Sequence, residues 1–136
     1  GGGRARAVAA DLADEAETSG LVARAATALG EVDCLINNAA VFEPDTAETA
    51  TRESWDLHME TNLRAPFVLM QQMAGALPEG RPGNIINLLD ERVWNLTPKF
   101  VSYTLSKVGL WALTRTATLG WTPRIHAGTR SVASSR

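Results

Sequence analysis

Two short apolar runs without alternation, Val32–Ala39 (VDCLINNA) and Gly83–Leu89 (GNIINLL), constrain this chain more than any other feature. A strand with one solvated face alternates apolar and polar residues, whereas a strand buried on both faces does not. Such strands belong to parallel sheets, in which helices carry the chain back from one strand to the next. The intervening segments have the matching pattern. Leu21, Val22, Ala25, Ala26 and Leu29 fall at helical spacing within Ala13–Leu29, and Gly30 follows where a left-handed backbone is cheap for glycine. A polar stretch, Glu43–Thr51, leads into a long helical segment over residues 52–77. Pro66 lies inside it, which predicts a kink or a turn whose hydrogen bonds are met locally. Pro78–Gly83 is a turn cluster, and after a loop through Pro98 another helix is predicted over 102–119. Ala5–Leu12 reads as one more short strand, ending at an acidic residue.

Strand and helix in strict alternation give an α/β fold with right-handed crossovers, a partial doubly wound parallel sheet of Rossmann type. Residues 1–125 form one such partial domain. A dinucleotide fold opens with a strand and a glycine-rich turn that sets a pyrophosphate on a helix N-terminus. Gly1-Gly2-Gly3 does not fit that role, because a strand rather than a helix follows it. The first βαβ unit and the last strands are therefore expected to be missing. Residues 126–136 (HAGTRSVASSR) have no strand pattern and read as a disordered or frame-shifted tail. A sheet cut down in this way would leave open edges and exposed apolar helix faces, so the chain as written is not expected to fold readily alone.

Composition excludes several classes of function. The formal net charge is −2 and the 13 Lys and Arg are scattered, so no basic stripe marks a nucleic-acid partner. No apolar run approaches the ~20 residues that span a bilayer. His58 and His126 have no neighbours at ligand spacing, and no metal site is expected. Cys34, alone in an apolar run, reads as a small buried hydrophobe in a reducing cytoplasm. Trp55, Trp111 and Trp121 read as packing residues.

Tyr103 and Lys107 stand four residues apart on a predicted helix, on one face and one turn apart. An ammonium beside a phenol favours the phenolate and draws its pKa down from about 10, as a general acid or base at neutral pH requires. The pair by itself is also what an ordinary exposed helix face would show.

Its surroundings resemble the short-chain dehydrogenase/reductase family in order and spacing from about Ala5 to Ile125. Asn37-Asn38-Ala39-Ala40 is similar to the family's Asn-Asn-Ala-Gly, which steadies the sheet and borders the adenosine side of the cofactor. Asn38 and Ala39 are thereby implied as cofactor contacts. Asp11 looks like the acidic residue on the adenine ring, although it also suits a helix N-cap. Asn62 matches the asparagine that kinks the long helix and holds a proton-relay water. Tyr103 and Lys107 match the catalytic acid and the ribose-binding lysine, both beside the cofactor. The resemblance implies a cytoplasmic NADP(H)- or NAD(H)-dependent oxidoreductase with a small-molecule substrate, paired as a dimer or tetramer through the Asn62 and Tyr103 helices.

One position departs from the family. Where most relatives carry a serine thirteen residues before the tyrosine, this chain has Asp90. A serine donates to a substrate carbonyl at any pH, whereas an aspartate donates only when protonated and otherwise repels an oxyanion. That argues for a ring with N–H groups or a C=N bond, and resembles the pteridine and dihydromonapterin reductases, which use NADPH. Trp94, in the loop after Asp90, is a candidate substrate contact. Another carbonyl or imine substrate remains open. So does a catalytically silent remnant that keeps only an oligomer surface.

Overall fold

The structure, a computed structural model, describes residues 3–121 and 123–132. Its elements alternate as the apolar runs require. Helices α1 (Glu15–Thr18) and α2 (Leu21–Leu29) precede strand β1 (Cys34–Asn37). Helix α3 (Arg52–Met59) runs through a π-helical turn (Glu60–Arg64) into α4 (Ala65–Ala76), and strand β2 (Gly83–Asp90) follows. A single 3-10 turn (Glu91–Val93) then leads to α5 (Val101–Trp121) and β3 (Ile125–Val132).

The three strands form one parallel sheet in the order β1-β2-β3, with Asn37 opposite Asn87 and Gly83 opposite Ile125. Asn87, on the central strand, bonds toward both Met70 of α4 and Thr114 of α5, so these helices cover the same face. Met70, Met73, Leu77, Ile85 and Ile125 make the buried core between them, with Leu113, Ala117 and Trp121 packed against it. The fold is thus a part of a Rossmann-type α/β unit.

Sequence patterning overstated burial. β1 and β2 lack alternation, yet only one face of the sheet is well covered among the described residues. Along β2 the alternate residues Gly83, Ile85, Asn87 and Leu89 are buried, while Ile36 on β1 is 57% exposed. Cys34 is also exposed rather than buried, because β1 is an edge strand here. Ala5–Leu12 forms no strand: an extended segment becomes one only with a neighbour to hydrogen-bond, and none pairs with it among the described residues.

The opposite error concerned residues after Ile125. Ile125–Val132 pairs with β2 along its whole length, so the strandless reading is corrected for 126–132. Ladder hydrogen bonds are made by backbone, and Ile125 anchors the strand in the core with Ala127 packed against it, while the polar residues beyond face outward at an edge. Residues 133–136, and Gly1 and Gly2 of the opening glycine run, lie outside the described residues.

The long helix turns as Pro66 predicts. Pro66 has no N–H for the ladder, and the chain widens by one residue per turn just before it, with Ala65 N–H bonding Glu60 C=O.

Candidate active site

The C-terminal end of β2 delivers Asp90, and the first two turns of α5 deliver Tyr103 and Lys107. The start of α5 is not set by its own sequence. The preceding residue, Phe100, is no capping type and sits at φ +60°, a region that costs a bulky residue energy. The cap comes instead from the loop after β1. Asp45 Oδ1 accepts from Ser102 N–H (3.1 Å), Oδ2 from Ser102 Oγ (2.5 Å), and the Asp45 carbonyl from Phe100 N–H (2.7 Å). Phe42 of the same loop stacks on Phe100 with centroids 4.2 Å apart and meets Tyr103 edge-on at 4.6 Å.

Tyr103 and Lys107 are both buried, 5% and 3% exposed. Tyr103 Oη donates to Asp90 Oδ2 at 3.2 Å. Asp90 Oδ1 accepts from the backbone N–H (2.9 Å) and Nη1 (3.0 Å) of Arg92. The Arg92 guanidinium lies 5.0 Å and 5.1 Å from the Phe42 and Phe100 ring centroids, and its Nε is buried without a partner among the described residues. Lys107 Nζ donates to the Leu88 carbonyl (3.0 Å), which occupies one of its three protons.

This geometry reverses one expectation. Lys107 does not draw the phenol toward neutrality here. Burial, then the charge of Asp90 and the hydrogen bond to it, push Tyr103 well above its ordinary pKa, and Arg92 only partly opposes them. Burial likewise lowers Lys107, with Asp90 acting the other way. The ammonium is bonded to a carbonyl and lies 5.9 Å from the ring centroid, whereas the carboxylate touches the hydroxyl.

Asn62, on the π-helical turn, is fully buried and bonds Val41 twice: its Oδ1 accepts from Val41 N–H (2.8 Å) and its Nδ2 donates to Val41 C=O (2.9 Å). Nδ2 also reaches Ser106 Oγ on α5 at 3.1 Å. Asn37 is tied to Asn87 (2.7 Å) and Asn87 to Thr114 (2.8 Å), so the asparagine pair braces β1 against β2 and α5. Asn38 and Ala39, both exposed, line a groove at the C-terminal end of β1 with Leu12, Leu21, Ile36 and Pro66. Asp11 adjoins that groove through Leu12. It is not the helix cap, a role taken by Asp14; its own Oδ1 accepts from Ala13 N–H. Trp94 ends the 3-10 turn after Asp90, 55% exposed, with no ring contact or side-chain hydrogen bond to Asp90 or Tyr103.

Asp90, Tyr103 and Lys107 therefore lie together where the end of β2 meets the start of α5, with Asn62 joined to α5 through Ser106, while Asp11, Asn38 and Ala39 lie around the separate β1 groove. Sequence reasoning missed Phe42, Arg92 and the trio Asp45, Ser102 and His58, none of which carries a local motif.

Residues 2–127 match the short chain dehydrogenase family. The chain belongs to that family. Among relatives of this dehydrogenase family, 2-dehydro-3-deoxy-D-gluconate 5-dehydrogenase of Dickeya dadantii (strain 3937) is 30% identical over 121 residues, covering 88% of this chain and 48% of the relative. Among solved structures, FolM alternative dihydrofolate reductase 1 from Brucella canis, complexed with NADP, is 40% identical with a TM-score of 0.86, over 90% of this chain and 49% of that one. The landomycin C-6 ketoreductase LanV, with bound NADP and rabelomycin, is 31% identical with a TM-score of 0.82, over 97% and 55%. The chain spans about half the length of the curated relatives it matches.

Proposed function

We propose that the protein is an NADP(H)-dependent reductase of this family, acting on a planar nitrogen ring of the dihydropterin or dihydrofolate type. The observation that carries the reading is the contact between Asp90 Oδ2 and the Tyr103 hydroxyl. An ionised carboxylate beside the phenol is a poor partner for a ketone, because an oxyanion developing there would be repelled. Ring N–H groups and an exocyclic amine are donors, and Asp90 is an acceptor whose carboxylate is fixed in place by Arg92. The FolM structure, reported with NADP, supports both substrate class and cofactor, and the ketoreductase LanV supports the cofactor. NAD(H) is the alternative cofactor.

The donor set fits the nicotinamide end of such a cofactor. Lys107 Nζ has two protons beyond the one given to Leu88, suited to ribose hydroxyls, and the Asn38–Ala39 groove is open to an adenosine. A glycine-rich pyrophosphate turn is not among the described residues. When bound, NADPH would supply the hydride that reduces the substrate carbon. Tyr103 gives its hydroxyl proton to the substrate nitrogen, Asp90 orients the ring, Lys107 holds the ribose, and Asn62 keeps the relay end of the site in place through Val41 and Ser106.

The test is NADPH oxidation by the purified protein with 7,8-dihydrofolate or 7,8-dihydrobiopterin, against an aromatic ketone. Faster turnover of the pterin compounds is expected. Turnover of the ketone alone overturns the substrate class, and no turnover of any of them returns the silent-remnant reading.

For assembly we infer a homo-oligomer formed through the π-turn helix and α5. What supports it is an apolar groove there, lined by Met59, Leu63, Phe67 and Leu113. No helix among the described residues is long and apolar enough to cross a membrane, and the cytoplasm is the proposed compartment.

A further inference from the structure

Three buried polar side chains behind the candidate site have no part in the proposed chemistry. His58 of α3 and Ser102 of α5 are fully buried, and Asp45 of the loop after β1 is 5% exposed. Buried polar groups are costly unless every donor and acceptor is matched. Here each proton has one assignment. Glu43 N–H donates to His58 Nε2 (3.0 Å), so the neutral ring carries its proton on Nδ1 and gives it to Ser102 Oγ (2.7 Å). Ser102 has one hydroxyl proton, and it goes to Asp45 Oδ2 (2.5 Å), while Asp45 Oδ1 takes the Ser102 N–H (3.1 Å).

We propose that Asp45, Ser102 and His58 are positioning residues for Tyr103: together they lock the first turn of α5 against α3 and the Phe42 loop, and so set the place of the phenol. The proposal rests on the reading of Tyr103 as the proton donor. Three observations carry it. Tyr103 directly follows Ser102, the residue that both Asp45 oxygens grip. The helix start has no cap of its own, since Phe100 at φ +60° precedes it and itself hangs from the Asp45 carbonyl. The Tyr103 ring lies between the two anchored elements, 4.6 Å from Phe42 and 6.0 Å from His58, with its hydroxyl 3.2 Å from Asp90. Loosening the trio shifts the phenol along its own helix without removing a group that touches substrate. A displacement of about 1 Å at a reacting group costs on the order of 100-fold in rate.

The ring nitrogens separate this role from plain support. His58→Asn keeps a donor near the Nδ1 position, whereas His58→Gln keeps an acceptor near Nε2 and loses the donor to Ser102. The first readout needs neither substrate nor cofactor. Tyr103 is the only tyrosine in the sequence, so tyrosinate absorbance in an alkaline titration reports it alone. Ser102→Ala, Asp45→Asn and His58→Gln are expected to lower its midpoint, by about one pH unit, as the hydroxyl leaves Asp90. His58→Asn is expected to stay near the unsubstituted protein. The second readout is NADPH oxidation with 7,8-dihydrofolate, where the first three variants should lose ~10- to 100-fold in kcat with KM within about twofold. Circular dichroism confirms that each compared variant is folded; Asp45→Asn, which keeps an Oδ1 acceptor, replaces Ser102→Ala if the latter is not. An unmoved midpoint in Ser102→Ala or Asp45→Asn, or equal effects of His58→Asn and His58→Gln, overturns the positioning role. Full activity in Tyr103→Phe would instead remove the acid role of Tyr103, and the titration would still decide whether the trio positions the phenol.

Discussion

Tyr103 Oη and Asp90 Oδ2 are hydrogen-bonded at 3.2 Å, and the second oxygen of the same carboxylate is held by Arg92. The pair sets the protonation of the site. Burial and the neighbouring carboxylate both disfavour a phenolate, so Tyr103 keeps its proton where a lysine-assisted tyrosine would begin to lose it. Such a group suits donation in a reductive step better than abstraction in an oxidative one. The tyrosinate titration should begin above the ordinary phenol value of about 10, and Asp90→Asn should bring it down. The linkage has a definite sign. A phenol whose folded pKa is raised contributes stability that is present below about pH 10 and lost as pH rises through the folded value, so alkaline unfolding should be shifted in Asp90→Asn.

Tyr103→Phe removes the hydroxyl and keeps the ring that packs on Phe42. Turnover is expected to disappear, while NADPH binding, followed by its fluorescence, changes little. Unchanged turnover would place the proton donor elsewhere.

Asp90→Ser exchanges an acceptor for a donor at the end of β2 and releases Arg92 from its partner. Reduction of 7,8-dihydrofolate should fall by about tenfold or more, and reduction of an aromatic ketone should fall less or rise. Equal effects on the two substrates would remove the reason to prefer a nitrogen ring.

Much of this site could be read before any geometry was known, because its members carry local signatures. Tyr103 and Lys107 are four apart on a helix, Asn37 and Asn38 end an apolar run, and Pro66 marks the turn near Asn62. Phe42, Arg92, Asp45, Ser102 and His58 carry none; they meet only because the loop after β1 folds back over the start of α5, a contact across 57 residues between Asp45 and Ser102. The burial of β1 was misread for a related reason. Absence of alternation indicates a strand suited to cover on both faces, and supplies nothing to cover it. The polar sequence after Ile125 concealed β3 because pairing there is done by backbone alone. The direction of the tyrosine shift also depends on what the spacing does not carry: burial of the phenol comes first, and then the Asp90 carboxylate bonded to its hydroxyl.

Asn62→Leu tests the π-helical turn. Leucine fills a similar volume and strips the partners from both polar groups of Val41, while Ser106 Oγ loses one donor and keeps its bond to the Tyr103 carbonyl. Each buried group left unmatched costs ~1–3 kcal/mol, so a loss of at least ~2 kcal/mol in a denaturant titration is expected. Asn62→Asp keeps the acceptor for Val41 N–H and loses the donor, and should fall between the two. A leucine variant as stable as the original would mean that the asparagine is not what joins this turn to the loop.

Acid exposes the cap on α5. Burial works to raise the pKa of Asp45, but the hydrogen bonds from the Ser102 side chain and backbone, from Ser54 and from the start of α5 outweigh it and hold the carboxyl below its usual range. A depressed carboxylate contributes stability that is fully present above its unfolded pKa, about 3.9, and lost as pH falls through the lower folded value. Protonation would also turn one oxygen into a donor and weaken it as an acceptor, so the Ser102 grip loosens at the same step. Melting temperature followed downward from pH 6 should therefore drop through the acid range, and Asp45→Asn should start lower and fall less steeply. The activity of that variant should already be reduced at pH 7, where the original carboxylate is ionised and the cap intact. Parallel acid curves for the two proteins would show that the charge on Asp45 has no share in holding the helix start.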